Sequence, residues 1–277
     1  MGETGIEGQI SIKPAEKKDY WKKQEEYLIR DVFPNNSIGS PITQEDKEYF
    51  LSEDYRNAIN SLCDRAIDKL YMIFFEKEGM QIGFCSYCIY ASEDGKCFIP
   101  DFCIYPEYRG SGYGKACFRQ LQKQAQGAGY YELNLSNDAN RNFWVSLGFE
   151  YNGYDSHGSV LYTFMPNDTE EIFCEKLRAD DYWQILNLQN GQMAEQEKEF
   201  LSDSMQEELI HKIERGELRV FTAKRKTRAV GMYSIDTVAD VSGNSKGAGP
   251  EVLFIEPLFR KRGIERMLTD FAAARAE

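Results

Sequence analysis

The chain has 277 residues, 42% of them hydrophobic, and 45 acidic against 33 basic side chains give it a net charge of -12. That length is generous for one domain and sufficient for two buried cores, while the acidic balance repels phosphate backbones and anionic lipid and so argues against nucleic acid or a membrane as partner. No stretch approaches the roughly 20 uninterrupted apolar residues of a membrane span, and the acidic, glycine-containing N-terminus lacks the regions of a signal peptide, so a cytoplasmic protein is expected.

In chain order, a strand opens the sequence and helices follow. Phe50, Leu51, Tyr55, Ala58, Ile59, Leu62, Ala66 and Ile67 recur at intervals of three and four, the mark of one long amphipathic helix. Strand-like runs occupy 70 to 76, 80 to 90 and 97 to 105, the first two joined by a tight turn at Lys77 to Gly79. After a glycine-rich stretch, Cys117, Phe118, Leu121 and Ala125 mark a helix that stops at Gly127 and Gly129. A strand at 131 to 135, a short helix over 138 to 146 ended by Gly148, and strands near 149 to 154 and 159 to 165 complete the pattern. Strands and helices in this order predict an α/β fold, of the α+β kind with a mixed sheet.

Five of the seven cysteines (Cys85, Cys88, Cys97, Cys103, Cys117) fall inside apolar runs, as buried reduced thiols do. Cys85 and Cys88 imitate a metal-ligand pair, but on a strand residues three apart point to opposite faces, so no metal is expected.

The two halves of the chain repeat one another. "QEDKEYFLSEDYRNAINSL" (44 to 62) is answered by "AEQEKEFLSDSMQEELIHKI" (194 to 213), and "IYPEYRGSGYG" (104 to 114) by "IEPLFRKRGIE" (255 to 265). Asp19-Tyr20-Trp21 recurs as Asp181-Tyr182-Trp183. The repeat predicts two tandem domains, 1 to 167 and 168 to 277, joined at "MPNDTEE" (165 to 171), where Pro166, Asn167 and Asp168 form a polar connection.

The stretch "YRGSGYGKA" (108 to 116) places Gly110, Gly112 and Gly114 where a helix begins. A Walker loop would need glycine at 109 and Ser or Thr at 116, which hold Arg109 and Ala116, and a dinucleotide fingerprint would need a third glycine where Lys115 stands. An anion cradle fits: glycines let a ligand approach the main chain, and free N–H groups at a helix start face it with the positive end of the dipole behind them.

"IYPEYRGSGYGKA" resembles motif A of the GNAT family of N-acetyltransferases, Arg/Gln-x-x-Gly-x-Gly/Ala, here Arg109, Gly112 and Gly114 after Ile104 and Pro106. "NDANRNFWVSLGFE" (137 to 150) is similar to motif B of the same family, and the likeness spans residues 9 to 165. The resemblance implies acetyl-CoA as co-substrate. Its diphosphate would bind main-chain amides along Arg109, Gly110, Ser111, Gly112, Tyr113 and Gly114, beside Lys115; its pantetheine would pair with Phe102, Cys103 and Ile104 where the fourth strand splays from the fifth. Pro100 supports the splay on physical grounds, because proline cannot donate to a central ladder and marks an irregular strand. Asn137 would hold the pantetheine, although an ordinary helix N-cap fits the same residue, and Phe143 and Trp144 would pack against the cofactor.

Acetyl transfer to an amine needs a deprotonated nucleophile, a stabilised oxyanion and a protonated leaving thiolate. The resemblance implies a main-chain N–H near Cys103 or Ile104 for the oxyanion. Asp101 lies beside the irregular strand segment and is the candidate base, acting through a water. Relatives carry Tyr where this chain has Trp144, and an indole N–H cannot serve as an acid, so Tyr151 and Tyr154 are the nearest candidate acids. In the second copy Glu265 stands in place of Gly114, which sets a carboxylate where a diphosphate would lie, and only a helix of about three turns with Met267, Leu268 and Phe271 inward follows. The second domain is thus expected to be truncated and degenerate, its exposed sheet edge covered by the first domain or by a second copy of the chain in a homodimer. The leading reading is an acetyl-CoA-dependent N-acetyltransferase acting on a small cationic amine; the alternative is a non-catalytic acyl-CoA-binding sensor.

Overall fold

The computed structural model describes residues 8–36, 41–135, 137–155, 157–166, 170–237 and 251–275. Asn167, Asp168 and Thr169 of the expected connection lie outside the described residues. By compactness, residues 1–150 and 162–167 form one unit and residues 151–161 and 168–277 a second.

In chain order the first part contains β1 (Ile10–Pro14), α1 (Lys17–Tyr27), a π-helical turn (Leu28–Val32) running into a single helical turn (Phe33–Asn35), then α2 (Gln44–Leu51) and α3 (Glu53–Leu62). After these come β2 (Leu70–Lys77), β3 (Met80–Tyr90), β4 (Lys96–Ile104), α4 (Tyr113–Gln124), β5 (Tyr130–Asn134), α5 (Asp138–Ser146), β6 (Glu150–Tyr154) and β7 (Val160–Phe164). The strands form a seven-stranded mixed sheet in the order β1-β2-β3-β4-β5-β7-β6. β1 to β4 pair antiparallel, and β5 joins β4 in parallel. The α/β class and the mixed sheet are as the sequence predicts.

The long helix expected over 50 to 67 is instead two, and the second ends at Leu62, so Ala66 and Ile67 lie beyond it. Ser52 takes an extended conformation and its hydroxyl accepts the Tyr55 N–H, so it caps α3 and ends α2. The apolar phase continues across the break, which is why periodicity alone hides it. The β2–β3 hairpin turns through Glu78 and Gly79, both at positive φ (51° and 82°), the geometry that matches strand twist.

Apolar side chains on alternate positions of β2 divide the core into two layers. Leu70, Met72 and Phe74, with Phe84, Cys88 and Cys103, pack against Tyr20 and Trp21 of α1 and against Tyr55, Ile59 and Leu62 of α3. On the opposite face Phe75 meets Phe102, and Phe118 of α4 is ringed by Tyr131, Trp144, Phe149 and Phe164. These layers place helices against both faces of the sheet.

The second part contains β8 (Ile172–Lys176), a 3-10 segment (Ala179–Ile185), α6 (Leu186–Glu195), α7 (Asp203–Glu214), β9 (Leu218–Arg225), β10 (Arg228–Asp236), β11 (Glu251–Ile255) and α8 (Ile264–Ala273). Its four strands run antiparallel in the order β11-β10-β9-β8. Leu177, Tyr182, Ile185, Leu188, Val220, Met232 and Phe254 make its core. Along α8 the buried side is Ile264, Leu268 and Ala272, and Met267, expected inward, is 39% exposed. The burial phase is i, i+4, i+8, which carries Met267 to the outer side of the helix.

Candidate active site

The site begins where two strands part. β4 and β5 pair through Lys96↔Tyr130, Cys97↔Tyr131 and Phe98↔Glu132, and no further. On its other edge β4 slips register against β3, between Ser86↔Asp101 and Cys88↔Phe98, so Ile99 and Pro100 form an irregular segment. Pro100 cannot donate to a ladder, and the strand bends there. The two strands diverge beyond it, and the wedge is a cavity of about 560 Å³. Ile99, Pro100, Phe102, Cys103 and Ile104 line one side, and Leu133, Asn134 and Leu135 the other.

The glycine stretch closes one end of the wedge. Gly110 and Gly112 have φ of 76° and 84°, a conformation that disfavours other residues, both line the cavity, and a Cβ on Gly110 would meet nothing within 4 Å. Gly112 is the N-cap of α4, and no side chain caps that helix. Gly114 has a different reason to be glycine: a Cβ there would sit 2.9 Å from Phe143 Cε2. Its small size lets α4 close against the Phe143 ring.

The wall opposite is aromatic. Phe143 stacks on Phe102 with ring centroids 6.1 Å apart, and Trp144 sits edge-on to Phe102, Phe118 and Phe149 at 5.2, 6.0 and 5.0 Å. Trp144 is 7% exposed and lines the cavity. Asn137, also in the lining, accepts the Ala139 N–H at 2.7 Å through Oδ1, so it is an N-cap and a wall residue at once.

Helical residues supply the remaining side. Tyr27, Asp31 and Asn35 all line the cavity. The Asp31 carboxylate receives Arg109 Nη2 at 2.7 Å and Nη1 at 3.3 Å, and also Arg30 Nη2 at 3.0 Å. Arg109 Nε donates to the Ile104 carbonyl at 2.7 Å, which ties the loop to the end of β4. Burial pushes the Asp31 carboxyl up, but the hydrogen bonds from Arg109 and Arg30 outweigh it and hold the group below its usual range. Burial drives the Tyr27 phenol far above its ordinary value, and it stays protonated.

Asp101 lies on β4 between Pro100 and Phe102 but is not among the lining residues. Its Oδ2 accepts Tyr20 OH at 2.9 Å and Ser86 Oγ at 3.1 Å. Desolvation raises its carboxyl above the usual value even though both hydrogen bonds act to lower it. Ser111 and Tyr113 also stand outside the lining, Tyr113 accepting Lys77 Nζ at 2.6 Å.

Of the residues singled out in the sequence, Phe102, Cys103, Ile104, Arg109, Gly110, Gly112, Gly114, Lys115, Asn137, Phe143 and Trp144 come together around one cavity. Tyr151 and Tyr154 do not join them. Both belong to the second unit, where Tyr154 packs against Tyr151 and Phe200, and chain proximity to 137–150 was a poor guide because β6 carries them away. Sequence reasoning missed Tyr27, Asp31 and Asn35; their regular spacing of four was the available signal. It also missed Tyr20 and Ser86, whose meeting with Asp101 no local pattern announces.

In the second unit Gly263 caps α8 at φ 77° and Arg260 Nε donates to the Ile255 carbonyl at 3.0 Å, the geometry of Gly112 and Arg109. Arg260 also pairs with Glu195.

Residues 39–149 match the family model described as acetyltransferase (GNAT) family. No curated protein matches the chain. Solved structures similar to it include the PaiA N-acetyltransferase of Thermoplasma acidophilum in complex with coenzyme A, which is 17% identical, with 56% of this chain and 98% of that one covered and a TM-score of 0.44. An acetyltransferase from Thermus thermophilus is 14% identical (57% and 97% covered, TM-score 0.42). The spermidine N-acetyltransferase of Vibrio cholerae is 13% identical (57% and 94% covered, TM-score 0.42).

Proposed function

We propose, from the match of residues 39–149 to the acetyltransferase (GNAT) family model, that the first unit is an acetyl-CoA-dependent N-acetyltransferase that acetylates the primary amine of a small cationic acceptor. The observation that carries this reading is the wedge: β4 and β5 part after Phe98, and the gap leads to a helix start at which Gly110, Gly112 and Gly114 line the cavity. A slot edged by main chain and ending at a helix N-terminus suits an extended amide-bearing arm that ends in a diphosphate.

Within this reading the amides from Gly110 to Gly114 and the side chains of Arg109 and Lys115 hold the diphosphate. The main chain of Phe102 and Cys103 aligns the arm, and Phe143 and Trp144 exclude water from its flank. Bound acetyl-CoA supplies the thioester carbonyl at which the new C–N bond forms as the C–S bond breaks. Asp101 accepts the ammonium proton through a water; its raised carboxyl brings it closer to the working range of a general base. Trp144 donates no proton. A thiolate with a pKa near that of cysteine, about 8.5, leaves acceptably without one.

The second unit we read as a diverged copy of the first that holds no acetyl-CoA, since Glu265 occupies the position of Gly114 and would repel a diphosphate. The test is thiol release from acetyl-CoA across a panel of amines, alongside calorimetric titration with coenzyme A. Turnover with at least one amine is expected. Tight binding with no turnover on any amine identifies a non-catalytic acyl-CoA sensor instead, and absence of binding rejects both.

A further inference from the structure

Asp101 is the only carboxylate on β4, and it stands opposite Ser86 of β3 in the last aligned pair before the irregular segment. Cross-strand partners share a face of the sheet, and the Ser86 hydroxyl reaches the carboxylate at 3.1 Å. Tyr20 reaches it at 2.9 Å from α1. Both hydroxyls donate to the same oxygen, Oδ2, whereas Oδ1 accepts nothing from the described residues and is not sealed from solvent. Neither donor has room to move. Tyr20 is 1% exposed and sits edge-on to Trp21 and Phe84, with ring centroids 5.6 and 5.3 Å apart, and Ser86 is buried on its strand.

We propose that Tyr20 and Ser86 are positioning residues for the base of the reaction: by donating to Oδ2 alone they fix the Asp101 carboxylate and leave Oδ1 as the atom that takes the acceptor's proton. This rests on the acetyltransferase reading above and on Asp101 as its base, and adds the groups that orient that base. Asp101 stands beside the cavity lining rather than in it, so the proton arrives through a water. An N–H bond of the ammonium breaks and its proton passes to the water as the water gives one of its own to Oδ1. The amine is left neutral with its lone pair free, and the carboxylate becomes a carboxyl.

The second unit shows that the fold does not demand an acid at this place. Its β10 and β11 pair Gly231↔Ile255 and Ser234↔Val252, as β3 and β4 pair Gly83↔Ile104 and Ser86↔Asp101. Tyr182, in the repeat of the Asp-Tyr-Trp run, is buried like Tyr20. Tyrosine and serine recur while Val252 replaces Asp101, so the same hairpin closes without the carboxylate, and the acid of the first unit answers to chemistry rather than to packing.

The titratable groups that face Asp101 are the phenols of Tyr20 and Tyr27 on α1 and of Tyr55 on α3, and the Cys85 thiol on β3. Burial drives each above its ordinary value, and each stays neutral. The two hydrogen bonds are therefore what favours the charged form of Asp101 against its burial. Loss of either makes the carboxyl harder to ionise, and the base becomes available only at higher pH.

The experiment is the pH profile of kcat/KM in the thiol-release assay for the full-length wild type, Tyr20→Phe and Ser86→Ala, with each change also placed in Asp101→Asn. Each single variant should move the acid limb up by about one pH unit, the loss of one hydrogen bond to an ionised group, while calorimetric affinity for coenzyme A stays the same. In Asp101→Asn neither change should lower kcat by more than about twofold, because its effect runs through the carboxylate. Tyr20→Phe keeps the ring and Ser86→Ala removes one oxygen, so the two report independently and either suffices if the other fails to fold. An unmoved limb, a loss of rate equal at every pH, or a further loss of about tenfold in Asp101→Asn makes the two hydroxyls a structural brace and overturns the proposal. Wild-type kcat in Asp101→Asn itself rejects the base, and a wild type that neither binds coenzyme A nor turns over rejects the acetyltransferase reading, results distinct from an unmoved limb.

Discussion

Replacing Gly112 by Asp and by Asn isolates the electrostatic part of the cradle. The residue has φ 84° and ψ -4° and lines the cavity. Asn and Asp are the residues other than glycine that best tolerate this left-handed conformation, so both variants should fold, each at a cost of about 1 kcal/mol. They are nearly identical in shape and differ by one charge. Two unit charges about 4 Å apart in water interact by about 1 kcal/mol, so a carboxylate facing a diphosphate with about two charges should cost about 2 kcal/mol. The Asp variant should therefore bind coenzyme A about thirtyfold more weakly than the Asn variant. Calorimetric titration of both, at about 0.01 M and about 1 M salt, gives the ratio. It should shrink to a few-fold at high salt, where the screening length falls to about 3 Å. Equal affinities at low salt, or a ratio indifferent to salt, would refute the claim that the amides at 110 to 114 hold an anion.

Asp101→Asn should lower kcat about 100-fold or more while leaving coenzyme A affinity unchanged, and the wild-type kcat/KM profile should show an acid limb above the usual carboxylate range, because burial raises that group. The stability sign follows from the same shift: a carboxyl raised on folding has no effect below its unfolded value near 3.8 and opposes folding as pH rises through the folded value. The Asn variant should consequently gain melting temperature relative to wild type from pH 4 to pH 7 by this linkage. Trp144→Tyr and Trp144→Phe should turn over within about threefold of each other, as expected for a thiolate that departs without an acid; a Tyr variant about tenfold faster than the Phe variant would show that an acid matters. Ser52→Ala should cost about 1 kcal/mol in urea unfolding through loss of the α3 cap, with no change in coenzyme A affinity.

How much of this was legible beforehand depended on the range of the interaction involved. Glycines at 110 and 112, the proline-marked irregularity at 99 to 100, the Asn137 cap and the succession of strands along the chain are local, since φ, the missing proline N–H and side-chain alternation act within a few residues. Together with the family resemblance they point to the place where β4 and β5 part and to the glycines at its end. The break at Ser52 is local too, yet it escaped notice because the apolar phase runs on through it. Glycine 114 could be seen in the sequence, but its reason could not, since that reason is the edge of Phe143, 29 residues further along.

Composition, periodicity and the glycine spacing by themselves determined the α/β class, the mixed sheet and the position of the glycine-lined helix start. Only the tertiary structure decided which side chains share the cavity. It brought Asp31 to Arg109 across 78 residues and Tyr20 to Asp101 across 81, and it withheld Tyr151 and Tyr154. A sequence encodes dihedral preferences residue by residue, whereas an ion pair or a buried hydrogen bond exists only after packing has joined distant segments.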